Sequence, residues 1–283
     1  MKFQRKWHYK SKIFWVFLLI FLAFLSRTVN ELGVDYIEDQ KERNNGILVG
    51  AEPFFIKNSE IGVLMLHGFS SSPNDYRELA SFLSSKNITV YAPLLPGHGT
   101  HPRDLKNIKY KEWKDYVSES LNKLNTKKRF VIGYSMGGTL ALDLASKNDL
   151  DGVISINSAI YIKNRYLPFI PILRLVETYT AKRPEQIVQL INDERVVYDS
   201  IPLTSVIQLQ KLINSISVYD ITEPILIFQS DHDDIILSES AEYIFSNVRS
   251  KEKKLIMLNN STHIKINNPE EAFNEIYNFI EKN

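Results

Sequence analysis

The 283-residue sequence has no cysteine. Disulfides, thiolate catalysis, zinc–thiolate centres and a lipid-modified cysteine are therefore excluded. An excess of either charge is also missing: 34 Lys and Arg stand against 33 Asp and Glu. This balance gives no electrostatic case for a nucleic-acid partner. Nor does any apolar run reach the roughly 20 residues that cross the hydrocarbon of a bilayer. The strongest, "IFWVFLLIFLAFL" from Ile13 to Leu25, covers only about 20 Å as a helix. Glycine is sparse as well, 11 in all, and six of these (Gly68, Gly97, Gly99, Gly133, Gly137 and Gly138) fall in three short loop segments. Glycines concentrated in this way mark one shaped site rather than scattered turns.

The rest of the composition is that of a folded globular chain, 44% hydrophobic and 24% charged. The N-terminus differs from it. "MKFQRKWHYKSK" carries five Lys or Arg and no acid ahead of the apolar run. Positive charge on that side predicts an inside N-terminus and an outside body. The run is short for a span, but Lys12 and Arg27 can snorkel and extend it. No small-residue cleavage site follows Leu25. The expectation is an uncleaved signal-anchor with a polar linker over residues 1–45. A cleaved signal with a secreted body, or a helix merely lying on the protein, are the alternatives.

From residue 46 onward short apolar runs alternate with amphipathic stretches. "IGVLMLHGF", "ITVYAPLL", "RFVIGY", "GVISINSA", "EPILIFQ" and "KKLIMLN" read as buried strands. Helices are predicted between them, the first opening with Ser72 as N-cap and Pro73 at the first helical position. This alternation predicts an α/β fold with a mostly parallel sheet and flanking helices. About 60 residues between "GVISINSA" and "EPILIFQ" show helical spacing and no clear strand. A structureless loop of that length is implausible, so residues 158–215 are expected to form a helical cap inserted before the next strand.

"GYSMGG", Gly133 to Gly138, fits G-x-S-x-G between a strand and a helix. A sharp strand-to-helix turn strains the nucleophile and requires neighbours without Cβ, here Gly133 and Gly137. Ser135 is thus the expected nucleophile. It needs a base. Of six histidines, His263 lies just after the last strand, at the sheet edge that carries Ser135. His8 precedes the apolar run. His67, beside Gly68, suits ordering of the oxyanion loop, and His98 and His101 lie in a structural loop. An oxyanion hole is then expected from the amides of Met136 and Phe69. The base also needs a carboxylate, in chain order Ser, Asp, His. The loop "SDHDD" is the placed candidate, and it offers Asp231, Asp233 and Asp234. The same cluster raises a metal reading, but no second carboxylate cluster stands ready to complete a shell.

"GAEPFF", "VLMLHGFSSSP", "PLLPGHGTHP", "GYSMGGTLALDLA", "GVISINSA" and "NNSTHI" together resemble the bacterial monoacylglycerol lipases and carboxylesterases of the α/β-hydrolase superfamily, from about Gly50 to the C-terminus. The resemblance implies an α/β-hydrolase domain over 46–283 with a lid-like cap, no metal or organic cofactor, and a Ser135–Asp233–His263 triad. In that family the acid stands before one variable residue and an apolar pair, here Asp234 and then Ile235–Ile236, which selects Asp233 over Asp231. The expected function is hydrolysis of monoacylglycerols or related monoesters through an acyl-enzyme. The alternatives are a short-chain carboxylesterase, a lysophospholipase or a thioesterase, and more remotely a membrane-tethered, non-catalytic binding module. The expected partners are a lipid ester and the membrane, through residues 13–25.

Overall fold

The computed structural model describes residues 2–283, with side chains from residue 12 onward. The side chains of residues 1–11, among them His8 and most of the basic charges expected to hold the N-terminus inside, lie outside the described residues. In chain order, helix α1 (Lys2–Glu38) leads into a small hairpin, β1 (Arg43–Asn44) and β2 (Ile47–Leu48). Then follow β3 (Phe54–Ile56), β4 (Ile61–Leu66), α2 (Arg77–Ser85), β5 (Thr89–Ala92), α3 (Pro102–Leu105), α4 (Tyr110–Leu124), β6 (Lys128–Tyr134), α5 (Met136–Ala145) and β7 (Gly152–Ile156). The segment after β7 holds α6 (Ile170–Leu173), β8 (Tyr179–Ala181), α7 (Pro184–Asn192), β9 (Ser200–Pro202) and α8 (Leu203–Ile213). The chain closes with β10 (Ile225–Ser230), α9 (Glu239–Asn247), β11 (Lys253–Leu258) and α10 (Pro269–Lys282).

Seven strands form one sheet in the order β11-β10-β7-β6-β4-β5-β3. All pairings are parallel except β3 with β5. The continuous apolar runs are the cause: β10 is buried along its whole length and β4 from its second residue, as strands covered on both faces must be. One face packs Trp113 and Val117 of α4 and Leu140 of α5; the other packs Leu79 and Leu83 of α2 and Ile276 and Ile280 of α10. Burying a side chain of this size contributes about 1.5–3 kcal/mol. The register sets the site. Leu66 pairs with Gly133, Tyr134 with Ile156, Phe228 with Ile156 and Ser230 with Leu258. The loops after β4, β6, β10 and β11 therefore leave the sheet at one edge.

Three local expectations are corrected. The stretch from Ser26 to Glu38, expected as linker, continues α1; it contains no proline, and its polar residues Asn30, Glu31, Asp35 and Glu38 face the body. The segment between β7 and β10 is not purely helical, because β8 and β9 pair antiparallel, Thr180 opposite Ile201. Strands of three residues are too short to show an alternation. Finally, Ser72 does not cap a helix with its side chain. The hydroxyl donates to the Val196 carbonyl at 2.8 Å instead, and the chain enters α2 through a 3-10 turn.

Candidate active site

β6 ends at Tyr134 and α5 begins at Met136, so a single residue, Ser135, turns the chain. It does so at φ 55° and ψ −118°, a conformation that non-glycine residues avoid and that the surroundings must enforce. The backbone supplies the enforcement: the Ser135 amide donates to the Ile156 carbonyl at 2.9 Å, and its carbonyl accepts from the amides of Thr139 and Ala159. The glycines are required by close approach. A Cβ on Gly133 would stand 2.1 Å from the Gly137 carbonyl oxygen, and one on Gly137 would stand 1.8 Å from the Leu66 carbonyl oxygen.

Ser135 Oγ lies 3.0 Å from His263 Nε2, and His263 Nδ1 lies 2.7 Å from Asp233 Oδ2. The other Asp233 oxygen accepts from the amides of Ile235 and Ile236 at 2.8 and 2.7 Å. With Nδ1–H donating to the carboxylate, Nε2 is left as acceptor for the serine proton, the arrangement that general-base activation of a hydroxyl requires. The Asp233 side chain is almost wholly buried.

The neighbouring carboxylates have other work. Asp231 accepts from the amides of Asn260 and Ser261, both at 3.0 Å, so it ties the loop after β10 to the loop that carries His263. Desolvation works against its charge, but these amides and His232 hold the carboxyl below its usual range. Asp234 pairs with Arg183 at the start of α7. His232 is exposed. The crowding that raised a metal reading is thus one carboxylate on the histidine and two that fasten loops.

The Phe69 and Met136 amides donate to no protein acceptor among the described residues. A Cβ on Gly68 would come within 3.5 Å of Ser135 Cβ, so this backbone passes directly beside the serine. His67 stands behind the loop, its Nδ1 at 2.9 Å from the Gly68 carbonyl and its Nε2 accepting from the Leu95 amide at 3.0 Å. The contact with the Leu95 amide needs the neutral ring, since Nε2 accepts there. Burial pushes the His67 pKa down to about 4, and His98, whose ring packs at 5.1 Å, is lowered for the same reason. Protons therefore bind the unfolded chain more readily than the folded one below the ordinary histidine value. The contribution of His67 to stability is complete above pH of about 6.5 and declines as pH falls to about 4, by about 3 kcal/mol in all. The urea midpoint is expected to drop between pH 7 and pH 4.5 in the wild-type chain. A midpoint unchanged across that interval contradicts this assignment.

Residues without a sequence signal complete the surroundings. The Arg195 guanidinium bonds both oxygens of Asp75 (2.8 and 2.7 Å) and the carbonyl of Ile264 (3.2 Å), the residue after His263. Burial disfavours its charge, but the Asp75 carboxylate keeps it protonated. It also lies over the Tyr134 ring at 5.4 Å, and that ring packs beside His263. Asp75 and Arg195 are 120 residues apart, so no local pattern links them. His98 and His101 sit outside the cavity: His98 bonds the Pro96 carbonyl, and His101 caps α3 by accepting from the Arg103 amide.

Ser135 and His263 open into a cavity of about 400 Å³ roofed by the segment between β7 and β10. Leu167, Ile170 and Leu173 make its wall apolar, and Glu177, Lys182 and Gln186 supply the polar groups of the roof. This volume is that of a small-ligand site. Burial and the nearby Arg195 charge push the Lys182 pKa down to about 7.

Comparison with known proteins gives a consistent picture. Residues 58–270 match the family described as "Serine aminopeptidase, S33" (Hydrolase_4). A thermostable monoacylglycerol lipase of Bacillus sp. (strain H-257) is 34% identical over 229 residues, which cover 77% of this chain and 88% of that protein. A carboxylesterase of Bacillus subtilis (strain 168) is 28% identical over 245 residues, covering 83% of this chain and 98% of that one. Among solved structures, one described under "LipS and LipT, two metagenome-derived lipolytic enzymes" superposes with a TM-score of 0.75 at 26% identity, over 84% of this chain and all of the other.

Proposed function

The chain belongs to the Hydrolase_4 serine hydrolase family, and within it we propose a membrane-held ester hydrolase that cleaves monoacylglycerols or related monoesters through an acyl-enzyme. The observation that carries this reading is the hydrogen-bonded line from Ser135 through His263 to Asp233, opening into an apolar cavity. Ser135 attacks the ester carbonyl while His263 takes its proton. The Phe69 and Met136 amides receive the oxyanion. His263 then protonates the leaving alcohol, and later draws a proton from the water that releases the acid. Asp233 holds the imidazole and balances its charge. The roof segment, about 158–215, acts as the lid-like cap that takes the acyl chain.

The name of the matching family suggests peptide substrates with a free ammonium. The cavity favours an ester: Leu167, Ile170 and Leu173 make its wall apolar, and Glu177 is the one carboxylate among its lining residues. For α1, the reading is a signal-anchor with the body outside. Its stretch from Lys12 to Glu38 is long and apolar enough to cross a membrane, and no residue of its most apolar 18-residue window is buried in the protein.

A panel of glycerol monoesters and nitrophenyl esters of rising chain length tests the substrate class. The expected result is a kcat/KM that rises from acetyl to medium and long acyl chains, since each buried methylene contributes about 0.8 kcal/mol. A preference for acetyl and butyryl esters would make the enzyme a short-chain carboxylesterase.

A further inference from the structure

The second half of α1 is inside out. Its polar residues face the protein. The Asn30 side chain accepts from the amides of Thr178 and Tyr179 and donates to the Tyr179 carbonyl. Glu31 bonds Lys106 and the Thr178 hydroxyl. Asp35 stands 3.5 Å from His101, and the buried Glu38 pairs with Lys41 and Arg43. Most of its apolar residues face away: Val29, Leu32, Tyr36 and Ile37 are between 53% and 74% exposed, while Val34 packs inward. A water-soluble surface helix has the opposite pattern. This outward stripe runs on without a break from the exposed apolar segment 13–25.

The polar joint of α1 ends at Thr178 and Tyr179, immediately after a second exposed apolar stretch of the cap. From Tyr166 to Val176 the chain alternates its faces. Leu167, Ile170 and Leu173 line the cavity, while Phe169, Ile172 and Leu175 are each more than half exposed on the outside. One turn of helix therefore separates the cavity from the surface. Exposed Lys163 and Arg165 precede this stretch and exposed Arg174 lies within it, with one acid, Glu177, directly after it.

We propose that the outward stripe of α1 and the outer face of Tyr166–Val176 form one surface that lies on an anionic lipid bilayer. The hydrogen-bonded joint at Asn30 and Glu31 holds the cap, and with it the cavity wall, against the membrane that α1 enters. The inference rests on the anchor reading of α1. Apolar side chains inside a cationic rim match the chemistry of an acidic lipid interface, and a solvent-exposed apolar surface of this extent calls for an occupant. An amphiphilic ester then reaches Ser135 from the bilayer without crossing water.

The absence of cysteine makes the test direct. Single variants Leu32→Cys, Ile172→Cys and Leu175→Cys, and Lys127→Cys at the opposite sheet edge as control, are labelled with bimane in the full-length chain and reconstituted into vesicles. In phosphatidylglycerol vesicles the first three labels are expected to lose iodide quenching at least about fivefold and to be quenched by doxyl lipid, while the label at 127 stays open to iodide. The protection at 172 and 175 should be lost when Lys163, Arg165 and Arg174 are all replaced by Gln. The double variant Asn30→Ala, Glu31→Ala should expose 172 and 175 again and slow hydrolysis of bilayer-embedded monoacylglycerol, with soluble nitrophenyl butyrate unaffected. Iodide access at 172 and 175 in the wild type, or protection that follows protein concentration rather than lipid, would overturn the proposal, the latter pointing to a second copy as occupant. Loss of turnover on both substrates in the wild type would instead remove the esterase reading and leave the depth measurement intact.

Discussion

Ser135→Ala is expected to abolish hydrolysis of nitrophenyl and glycerol esters, with kcat falling by about a millionfold, as when a serine hydrolase loses its nucleophile. The fold should survive. The Ser135 hydroxyl contacts His263 and no other protein group among the described residues, and the elbow is held by backbone bonds to Ile156, Thr139 and Ala159 that alanine retains. Alanine is no less suited than serine to φ 55°. Circular dichroism and the thermal midpoint should therefore match the wild type within a few degrees, roughly. Full activity in this variant would remove Ser135 from the reaction. Loss of the fold would move the experiment to Ser135→Cys, which keeps a side-chain nucleophile of similar size.

Asp233→Asn should lower kcat by about 10⁴ with little change in KM. The reason lies in the contacts. Asp233 Oδ1 already accepts two amides, from Ile235 and Ile236. An asparagine would keep its oxygen there and turn its NH2 toward His263. The histidine must then accept at Nδ1 and carry its proton on Nε2, facing Ser135 with a donor where an acceptor is needed. Asp231→Asn predicts a different outcome. Its carboxylate accepts the amides of Asn260 and Ser261 and never reaches His263. One amide contact and a charge are lost, the loop carrying His263 loosens, and turnover falls by about tenfold or less. Steady-state kinetics of the two variants side by side decide the acid. A large loss at 231 with activity retained at 233 reverses the roles.

The sheet was legible because its strands are buried on both faces and so appear as unbroken apolar runs, "IGVLML" and "ILIF" above all. The elbow was legible because close packing at Gly133 and Gly137 leaves no room for any other residue. The histidine followed from its place after β11. The acid did not follow from local chemistry, since three aspartates share the loop; the resemblance to known lipases selected Asp233. Arg195 with Asp75 was invisible, because a buried ion pair between residues 120 apart leaves no periodicity. β8 and β9 were too short to alternate. The continuation of α1 past Leu25 was hidden by its reversed faces: polar residues at 30, 31, 35 and 38 read as linker, although they are the side that grips the protein.

The central claim is that Ser135 is the activated nucleophile of an ester hydrolase. The most direct measurement is to treat the full-length chain with a fluorophosphonate probe and locate the adduct by peptide mass spectrometry. The account predicts one adduct, on Ser135, suppressed by monoacylglycerol and absent from Asp233→Asn on the same timescale. An unlabelled chain, or an adduct on another serine, would contradict it.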